Sequence, residues 1–126
     1  MLQGDGMRLL VDGQASRPLL AFDAFAFSGE SQVSCKLLGG AIRDFNLIYA
    51  PERYRARLQW LDGTSRVYSS ASTVLLFAAS SLVEVTIAGR ETQRLGLFDC
   101  LRLEGNDELL GLEVQGRFCL IELVEC

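Results

Sequence analysis

Three polar side chains, Arg43, Asp44 and Asn46, interrupt an otherwise apolar run that follows the glycine pair Gly39-Gly40. Burying a carboxylate or an amide is costly unless hydrogen-bond partners satisfy it, so this run is the first place to look for a binding site. If Ala41 to Tyr49 form a strand, alternation places Asp44 and Asn46 on one face and Arg43 on the other. The acid and the amide could then orient a polar ligand, and Arg43 suits a bidentate clamp on a carboxylate.

Each of these residues also has a purely structural interpretation. Asp44 and Asn46 could form hydrogen bonds to neighbouring backbone groups, with an arginine neutralising Asp44. The sequence favours neither this structural role nor ligand binding. For Arg43, an ion pair with Glu30 or Asp99 on a neighbouring strand is favoured over a ligand contact. Because alternation separates Arg43 from Asp44, placing both in one cavity would require a bulge.

Several kinds of chemistry have no residues to support them. The chain has no histidine, and its four cysteines lie far apart, at Cys35, Cys100, Cys119 and Cys126. Catalytic triads that need imidazole are excluded, and metal sites built on imidazole or on paired cysteines are disfavoured. Glycine-rich nucleotide-binding motifs are absent as well. We therefore expect no metal, no cofactor and no catalytic residue, and any acid-base step would need a carboxylate such as Asp44.

Length and charge narrow the class of protein further. A chain of 126 residues fits one domain, predicted over 1–126. The net charge of -4 provides no basic field for nucleic acid or anionic lipid. No apolar run is long enough for a membrane span, and the N-terminus lacks a basic segment that leads into an apolar one. We expect a cytoplasmic protein with no nucleic-acid or membrane partner.

The one basic cluster consists of Arg53, Arg55 and Arg57, which alternate with apolar residues up to Trp60. The three arginines therefore share one face of a predicted strand, and the apolar residues share the other. A solvated face is favoured here over an anion-binding site.

Two further groups have structural interpretations. Phe25, Phe27 and Trp60 occupy alternating positions in apolar runs, which favours the core over a stacking platform for ligands. Glu30 follows Ser28-Gly29 and is typical of a turn, and Asp99 is typical of a hairpin connection.

Alternation with period two dominates the chain, and residues typical of turns, such as Asp12-Gly13, Ala88-Gly89 and Gly105-Asn106-Asp107, separate the apolar runs. This pattern predicts an all-β barrel or sandwich with no convincing helix. Ten strands are predicted: Met7–Val11, Phe22–Phe27, Ser31–Leu38, Ala41–Tyr49, Tyr54–Leu61, Thr73–Ala78, Leu82–Ile87, Cys100–Leu103, Leu109–Val114 and Arg117–Val124.

Four segments together resemble the HutD/Ves family. They are the run Phe25-Ala26-Phe27-Ser28-Gly29-Glu30, the segments from Ser34 to Leu38 and from Gly40 to Ile48, and Leu97-Phe98-Asp99-Cys100-Leu101. The resemblance covers most of the chain and is most specific between Gly40 and Ile48. It implies a cupin-like double-stranded β-barrel of the jelly-roll type, in a bacterial family linked to histidine utilisation or stress responses. The candidate ligand-binding residues are Phe27, Glu30, Arg43, Asp44 and Asn46.

The chain departs from the family pattern in two ways. Position 48 is Ile where the family usually has Met, and the N-terminal part with a Trp-Arg opening and a Phe-Ser-x-Phe-Pro-Gly-x-x-Arg motif is not visible. A barrel without its first strands would be incomplete and would expose an edge, so we expect self-association into a homo-oligomer that completes it.

These observations favour a protein that binds a small polar or carboxylated metabolite, with a regulatory role in histidine utilisation or stress response, over an enzyme. One alternative is a metal-free cupin-type isomerase or lyase that uses Asp44. Another is an assembly module that pairs through a β-edge and binds no ligand. The fold by itself does not decide between these three functions.

Overall fold

The computed structural model describes residues 1–105 and 108–126, and all of the regular elements found there are β-strands in antiparallel sheets. The predicted all-β class is confirmed. No helix in the described ranges is long and apolar enough to cross a membrane. The strands are β1 Met7–Val11, β2 Gln14–Ala15, β3 Val33–Leu37, β4 Tyr54–Leu61, β5 Thr64–Ser69, β6 Thr73–Ala78, β7 Val83–Ile87, β8 Glu91–Leu95, β9 Cys100–Glu104, β10 Leu110–Gln115 and β11 Phe118–Glu125.

The chain divides into two compact units. The N-terminal unit is Met1–Ile48 and the C-terminal unit is Tyr49–Cys126. Each has its own sheet structure and its own buried cluster. The single domain over 1–126 stays a prediction.

The C-terminal unit contains two four-stranded sheets, with strand orders β4-β11-β6-β9 and β5-β10-β7-β8. Eight strands distributed in this order form a jelly roll, so the predicted jelly-roll topology is present within this unit alone. The sheets do not close into a continuous barrel, because each ends in two edge strands. β6 lies between two partners, as its apolar residues on both faces predict.

The core of the C-terminal unit fills the space between the two sheets. Alternate residues of each strand face inward, and both sheets contribute to the buried cluster. Each fully buried Val, Leu or Phe stabilises the fold by roughly 1.5–3 kcal/mol relative to an exposed one. The members with no exposed surface are Val74, Leu76, Ala78, Val83, Val85, Val114, Phe118 and Leu120.

The N-terminal unit has one small sheet, with strand order β2-β1-β3. Its buried cluster consists of Met1, Met7, Leu9 and Leu19. Ser16 stabilises this cluster, because its hydroxyl accepts a hydrogen bond from the Leu9 backbone N–H at 3.0 Å and donates one to a backbone carbonyl. This cluster covers β1 but leaves every residue of β3 exposed.

Eight of the ten predicted strands are present, three of them with the predicted bounds, at β1, β4 and β6. Two predicted strands are wrong: Phe22–Phe27 and Ala41–Tyr49 are irregular, apart from an isolated bridge between Gln3 and Arg43. Phe22 takes a positive φ of 65°, which breaks an extended chain.

Three strands were not predicted, namely β2, β5 and β8. β2 has only two residues, and the other two are polar edge strands whose outer faces meet solvent. The turn predicted at Gly105-Asn106-Asp107 lies partly outside the described residues. Between β7 and β8, Ala88-Gly89 takes positive φ at both positions (53° and 66°), as a type I′ hairpin turn requires.

Candidate functional site

The backbone at Arg43 is fixed even though no regular strand forms there. The backbone N–H groups of Leu2 and Gln3 donate to the Arg43 carbonyl at 2.7 and 3.2 Å, and the Arg43 N–H donates to the Gln3 carbonyl at 3.0 Å. Gly4 permits this close approach, because a Cβ at that position would lie 2.7 Å from Cγ2 of Ile42. The polar side chains that follow therefore emerge from a backbone held at a defined position.

Asp44 has a cationic partner, but it is not the arginine that the structural interpretation named. Its Oδ1 lies 3.3 Å from the α-ammonium of Met1. The Asp44 side chain is 32% exposed, whereas the Met1 side chain is fully buried. The carboxylate therefore has one ionic contact and still faces solvent on one side.

The other predicted site residues lie on the surface of the N-terminal unit. Arg43, Asn46 and Glu30 are exposed, and the Glu30 backbone N–H donates to Ser28 Oγ at 3.2 Å, which confirms the predicted turn. Phe27 is 45% exposed, with its ring centroid 6.3 Å from that of Phe25. The prediction that Phe25 and Phe27 are core residues is wrong, because both side chains are exposed and their segment is irregular.

The predicted inward orientation of Asp44 and Asn46 is not observed. The alternation argument required a strand over Ala41–Tyr49, and that segment is irregular. The jelly-roll interior is filled by residues of the C-terminal unit only. A ligand-binding role for Phe27, Glu30, Arg43, Asp44 and Asn46 stays a prediction. Asp99 lies in a turn, where its Oδ2 accepts the Gly96 N–H at 2.8 Å, but the predicted hairpin is wrong, because this turn connects β8 and β9, which belong to different sheets.

A concave site lies in the C-terminal unit, where an open cleft of about 450 Å³ runs along the two edge strands β4 and β5. We call it the β4-β5 cleft. Within the ranges that the structure covers, no group of three or more Cys, Asp or Glu side chains is placed to hold a metal ion. The cleft is lined by Arg57, Gln59, Leu61, Ser65, Arg66, Val67, Tyr68 and Glu122.

Strand register explains why polar side chains line the cleft. In the β4-β11 ladder, Leu120 lies opposite Gln59 and Glu122 lies opposite Arg57. Directly opposite residues in an antiparallel pair share a face, and Leu120 belongs to the core between the sheets. Gln59, Arg57 and Glu122 therefore project from the same inner face, which changes from apolar to polar along its length.

Glu122 is held by the facing sheet. Its Oε2 accepts a hydrogen bond from Ser69 Oγ at 2.7 Å, and Ser69 is 2% exposed. The same Ser69 oxygen accepts the Ala71 backbone N–H at 3.2 Å. Glu122 is thereby fixed in one direction and does not neutralise the arginine that lies across the ladder from it.

Arg57 has no ion pair or hydrogen bond to any side chain that the structure describes. Its neighbour Arg66 differs, because its Nε lies 2.9 Å from Glu113 Oε1, its cross-strand partner. Arg53 lies over the ring of Tyr54 at 5.7 Å. The guanidinium of Arg57 is therefore exposed and available inside a concave, partly polar surface.

The connection between β4 and β5 is fixed by charge. Asp62 accepts a hydrogen bond from Arg117 at 2.9 Å and one from the Gly63 N–H at 2.8 Å. These two hydrogen bonds lower the pKa of Asp62. Elsewhere in this unit, burial raises the pKa of the Cys119 thiol to about 12, so this cysteine behaves as a small apolar core residue.

Sequence reasoning considered Arg57 only as part of a basic cluster and did not select Gln59, Ser65 or Glu122. A signal was present in Glu122, an acid that interrupts the apolar residues over 118–124 of β11. Its partner Ser69 lies 53 positions away, so their pairing depends on long-range register.

Comparison with known proteins gives concordant results. The HutD family model matches residues 1–120. An uncharacterized 21.2 kDa protein in the hutC 3′ region of Pseudomonas putida is 90% identical over 124 residues, which cover 98% of this chain and 65% of that protein. The chain therefore spans just under two thirds of the length of that relative.

Two solved structures are similar to this one. A conserved protein of unknown function from Pseudomonas aeruginosa PAO1 has a TM-score of 0.94 and 49% identity, with 99% of this chain and 69% of that chain covered. HutD from Pseudomonas fluorescens SBW25, solved in a formate condition, has a TM-score of 0.86 and 54% identity. The match covers 99% of this chain and 65% of that chain.

Proposed function

The chain belongs to the HutD family, and from this premise we propose that it binds a small carboxylated metabolite in a regulatory role connected with histidine utilisation. The location of one relative supports the link to histidine utilisation, because the P. putida protein lies in the hutC 3′ region.

The observation that carries the proposal is the exposed Arg57 guanidinium in the β4-β5 cleft. A guanidinium stays charged at any physiological pH and offers two parallel N–H groups that match the two oxygens of a carboxylate. No described side chain occupies these donors. A carboxylate is therefore the ligand group that complements the cleft best.

The rest of the cleft suits the remainder of a small polar molecule. Gln59 and Ser65 provide donors and acceptors, and neither has a described hydrogen-bond partner. Leu61 and Val67 provide apolar surface next to them. A few polar groups beside apolar surface are typical of small-molecule sites.

The N-terminal unit offers a second location for the same function. Arg43 also carries an exposed guanidinium, close in sequence to Asp44 and Asn46. Here the polar side chains emerge from an exposed segment and not from a cleft. The two arginines can be separated by mutation, so one assay decides between them.

The test is a thermal-shift and calorimetry screen of formate, acetate, glutamate, N-formylglutamate and urocanate, with neutral sugars as controls. A specific ligand at a hundredfold its dissociation constant should stabilise the protein by roughly 2.7 kcal/mol. We expect Arg57→Ala to abolish the shift. Arg55→Ala is the matched control, because Arg55 lies on the same face of β4 but outside the cleft lining.

Two outcomes would contradict this proposal. If no carboxylate stabilises the protein, it is not a receptor for this class of ligand. If Arg43→Ala removes the shift and Arg57→Ala does not, the ligand binds through the N-terminal unit and the cleft has another role.

A further inference from the structure

We infer that the β4-β5 cleft binds a free α-amino acid, with Arg57 on its carboxylate and Glu122 on its α-ammonium group. Arg57 keeps the role that it has in the proposed function, on which this inference rests. Glu122 adds a second charged group, which selects among carboxylates. Three observations support this role of Glu122: the register of β4 with β11, the contact with Ser69 and the balance of charges in the cleft.

Arg57 and Glu122 lie directly opposite each other in the β4-β11 ladder, and both side chains line the cleft. Directly opposite residues of an antiparallel pair have Cα atoms about 4.5–5.5 Å apart and side chains on one face. A guanidinium and a carboxylate in such positions commonly form an ion pair. Among the ion pairs between described residues, however, none joins Arg57 to Glu122. Two opposite charges therefore share one wall of the cleft without being paired to each other.

The contact with Ser69 explains why this ion pair does not form. Ser69 Oγ donates to Oε2 of Glu122 at 2.7 Å from the facing sheet, and the same hydroxyl oxygen accepts the Ala71 N–H at 3.2 Å. Because Ser69 is only 2% exposed, the protein and not the solvent sets the direction of this hydroxyl. The other oxygen of Glu122, Oε1, has no hydrogen bond to any described residue. Glu122 is therefore held in one position and still has an oxygen available as an acceptor.

The charges that line the cleft match those of a zwitterion. Arg66 is already paired with Glu113 at 2.9 Å. The charged groups that remain in the lining are the guanidinium of Arg57 and the carboxylate of Glu122, whose charges sum to zero. A simple carboxylate on Arg57 would place a second negative charge beside Glu122, and like charges close together are unfavourable. An α-amino acid carries both charges and complements both residues.

The closeness of the two residues also matches an α-amino acid. In such a ligand the carboxylate and the ammonium group are bonded to the same carbon atom. Arg57 would donate two parallel N–H groups to the carboxylate, and the ammonium group would donate to Oε1 of Glu122. Because the two residues face each other across a single pair of strands, a ligand of this size can reach both side chains.

The rest of the lining leaves room for the side chain of the amino acid. Leu61 and Val67 provide apolar surface, and Gln59 and Ser65 provide polar groups, within a cleft of about 450 Å³. A mixed lining of this kind accepts polar and apolar side chains. The charged pair, and not the side chain, should therefore decide which class of ligand binds.

The experiment compares amino acids with the same molecules without the amino group. The pairs are glycine and acetate, L-valine and isovalerate, and L-glutamate and glutarate. Each compound is titrated into the native chain by calorimetry at neutral pH. We expect at least one amino acid to bind about tenfold or more tightly than its deaminated partner, because a site that bonds a polar group rejects an analogue that lacks it.

Three variants assign this preference to the charged pair. Glu122→Gln keeps the shape of the side chain and an oxygen that can accept the Ser69 hydrogen bond, so circular dichroism should show unchanged folding. It should reduce the preference for the amino acid to about twofold or less, because the charge-assisted hydrogen bond is lost, while the deaminated acid binds as well as before or better. Arg57→Ala should abolish binding of both members of each pair. Glu125→Gln is the matched control, because Glu125 is an exposed acid of the same strand outside the cleft lining.

Two results would overturn the inference and leave the proposed function intact. The native chain could bind the deaminated acid of every pair as tightly as the amino acid, or more tightly. Glu122→Gln could also weaken both members of a pair to the same extent, in which case Glu122 shapes the cleft and does not recognise the ammonium group. If neither the amino acids nor the deaminated acids bind, the inference and the proposed function fail together.

Discussion

The two units of this chain differ in how completely they cover their apolar side chains. In the C-terminal unit two facing sheets bury a cluster of twelve residues, whereas the buried cluster of the N-terminal unit has four. Eight large apolar residues are more than a third exposed among the first 48 residues, against six in the described part of the other 78. A β-sheet buries an apolar face only when a second layer lies against it.

Phe118→Ala gives the largest expected effect and tests the strength of the C-terminal core. Phe118 is fully buried and pairs with both β4 and β6, so its removal should leave a cavity and destabilise the protein by about 3–5 kcal/mol. The measurement is urea unfolding followed by fluorescence or circular dichroism. A loss below about 1 kcal/mol would show that the two sheets can collapse around the cavity.

Leu9→Ala tests the smaller core in the same way. The cost should be about 2 kcal/mol, at the low end for such a change, because the site is bounded by only a few buried neighbours. The measurement is hydrogen exchange at the β1 amides, which should become faster as this stability is lost. Leu10→Ala is the control. Leu10 is 44% exposed, so this change should lower the free energy of unfolding by less than about 0.5 kcal/mol. Equal effects of the two changes would mean that the N-terminal cluster contributes little.

Ser69→Ala tests how the cleft is built within the better-covered unit. The change removes the hydrogen bond to Glu122 and leaves the Ala71 N–H without its acceptor, which should cost about 1–2 kcal/mol in urea unfolding. Carboxylate affinity should also change, since Glu122 would be free to turn toward Arg57. Ser70→Ala is the matched control, because Ser70 is an exposed neighbour. If both variants behave alike, the Ser69 contact does not fix Glu122.

Asp62→Asn gives the smallest expected effect and has a defined pH dependence. The hydrogen bonds from Arg117 and Gly63 lower the pKa of Asp62 in the folded state, so the stability that it adds is present above its ordinary pKa of about 4. That contribution is lost as the pH falls through the lowered value. The difference in Tm between the native protein and the variant should be constant from pH 7 to pH 5 and vanish in stronger acid. A difference in Tm that grows as the pH falls would contradict the lowered pKa of Asp62.

The sequence predicted most of the C-terminal unit and less of the N-terminal one, for a physical reason. The bounds of β6 could be predicted because its residues are apolar on both faces, whereas β5 and β8 were missed because their outer residues are polar. The partner of β5, β10, is also distant in sequence. Residues 41–49 alternate like a strand but have only one bridge, through Arg43, and alternation without a neighbouring strand does not make a sheet.

The candidate sites show the same dependence on distant contacts. Arg43, Asp44 and Asn46 could be singled out because their types are unusual in an apolar run, but their orientation depended on the strand that does not form. The β4-β5 cleft is formed by residues that are unremarkable in sequence. Gln59 and Arg57 share a face with Glu122 only through the register of β4 with β11.

That register also has a consequence for biosynthesis. β4 and β11 pair along their full lengths, with Tyr54 opposite Glu125, so the first and last strands of the jelly roll are neighbours. The sheet cannot be completed until β11 has left the ribosome, long after β4. Pairing between strands so far apart in the chain slows folding, and the apolar strands made early must wait for their partners. Nascent chains of this protein should therefore keep the β11-facing edge of β4 unpaired until β11 has been made.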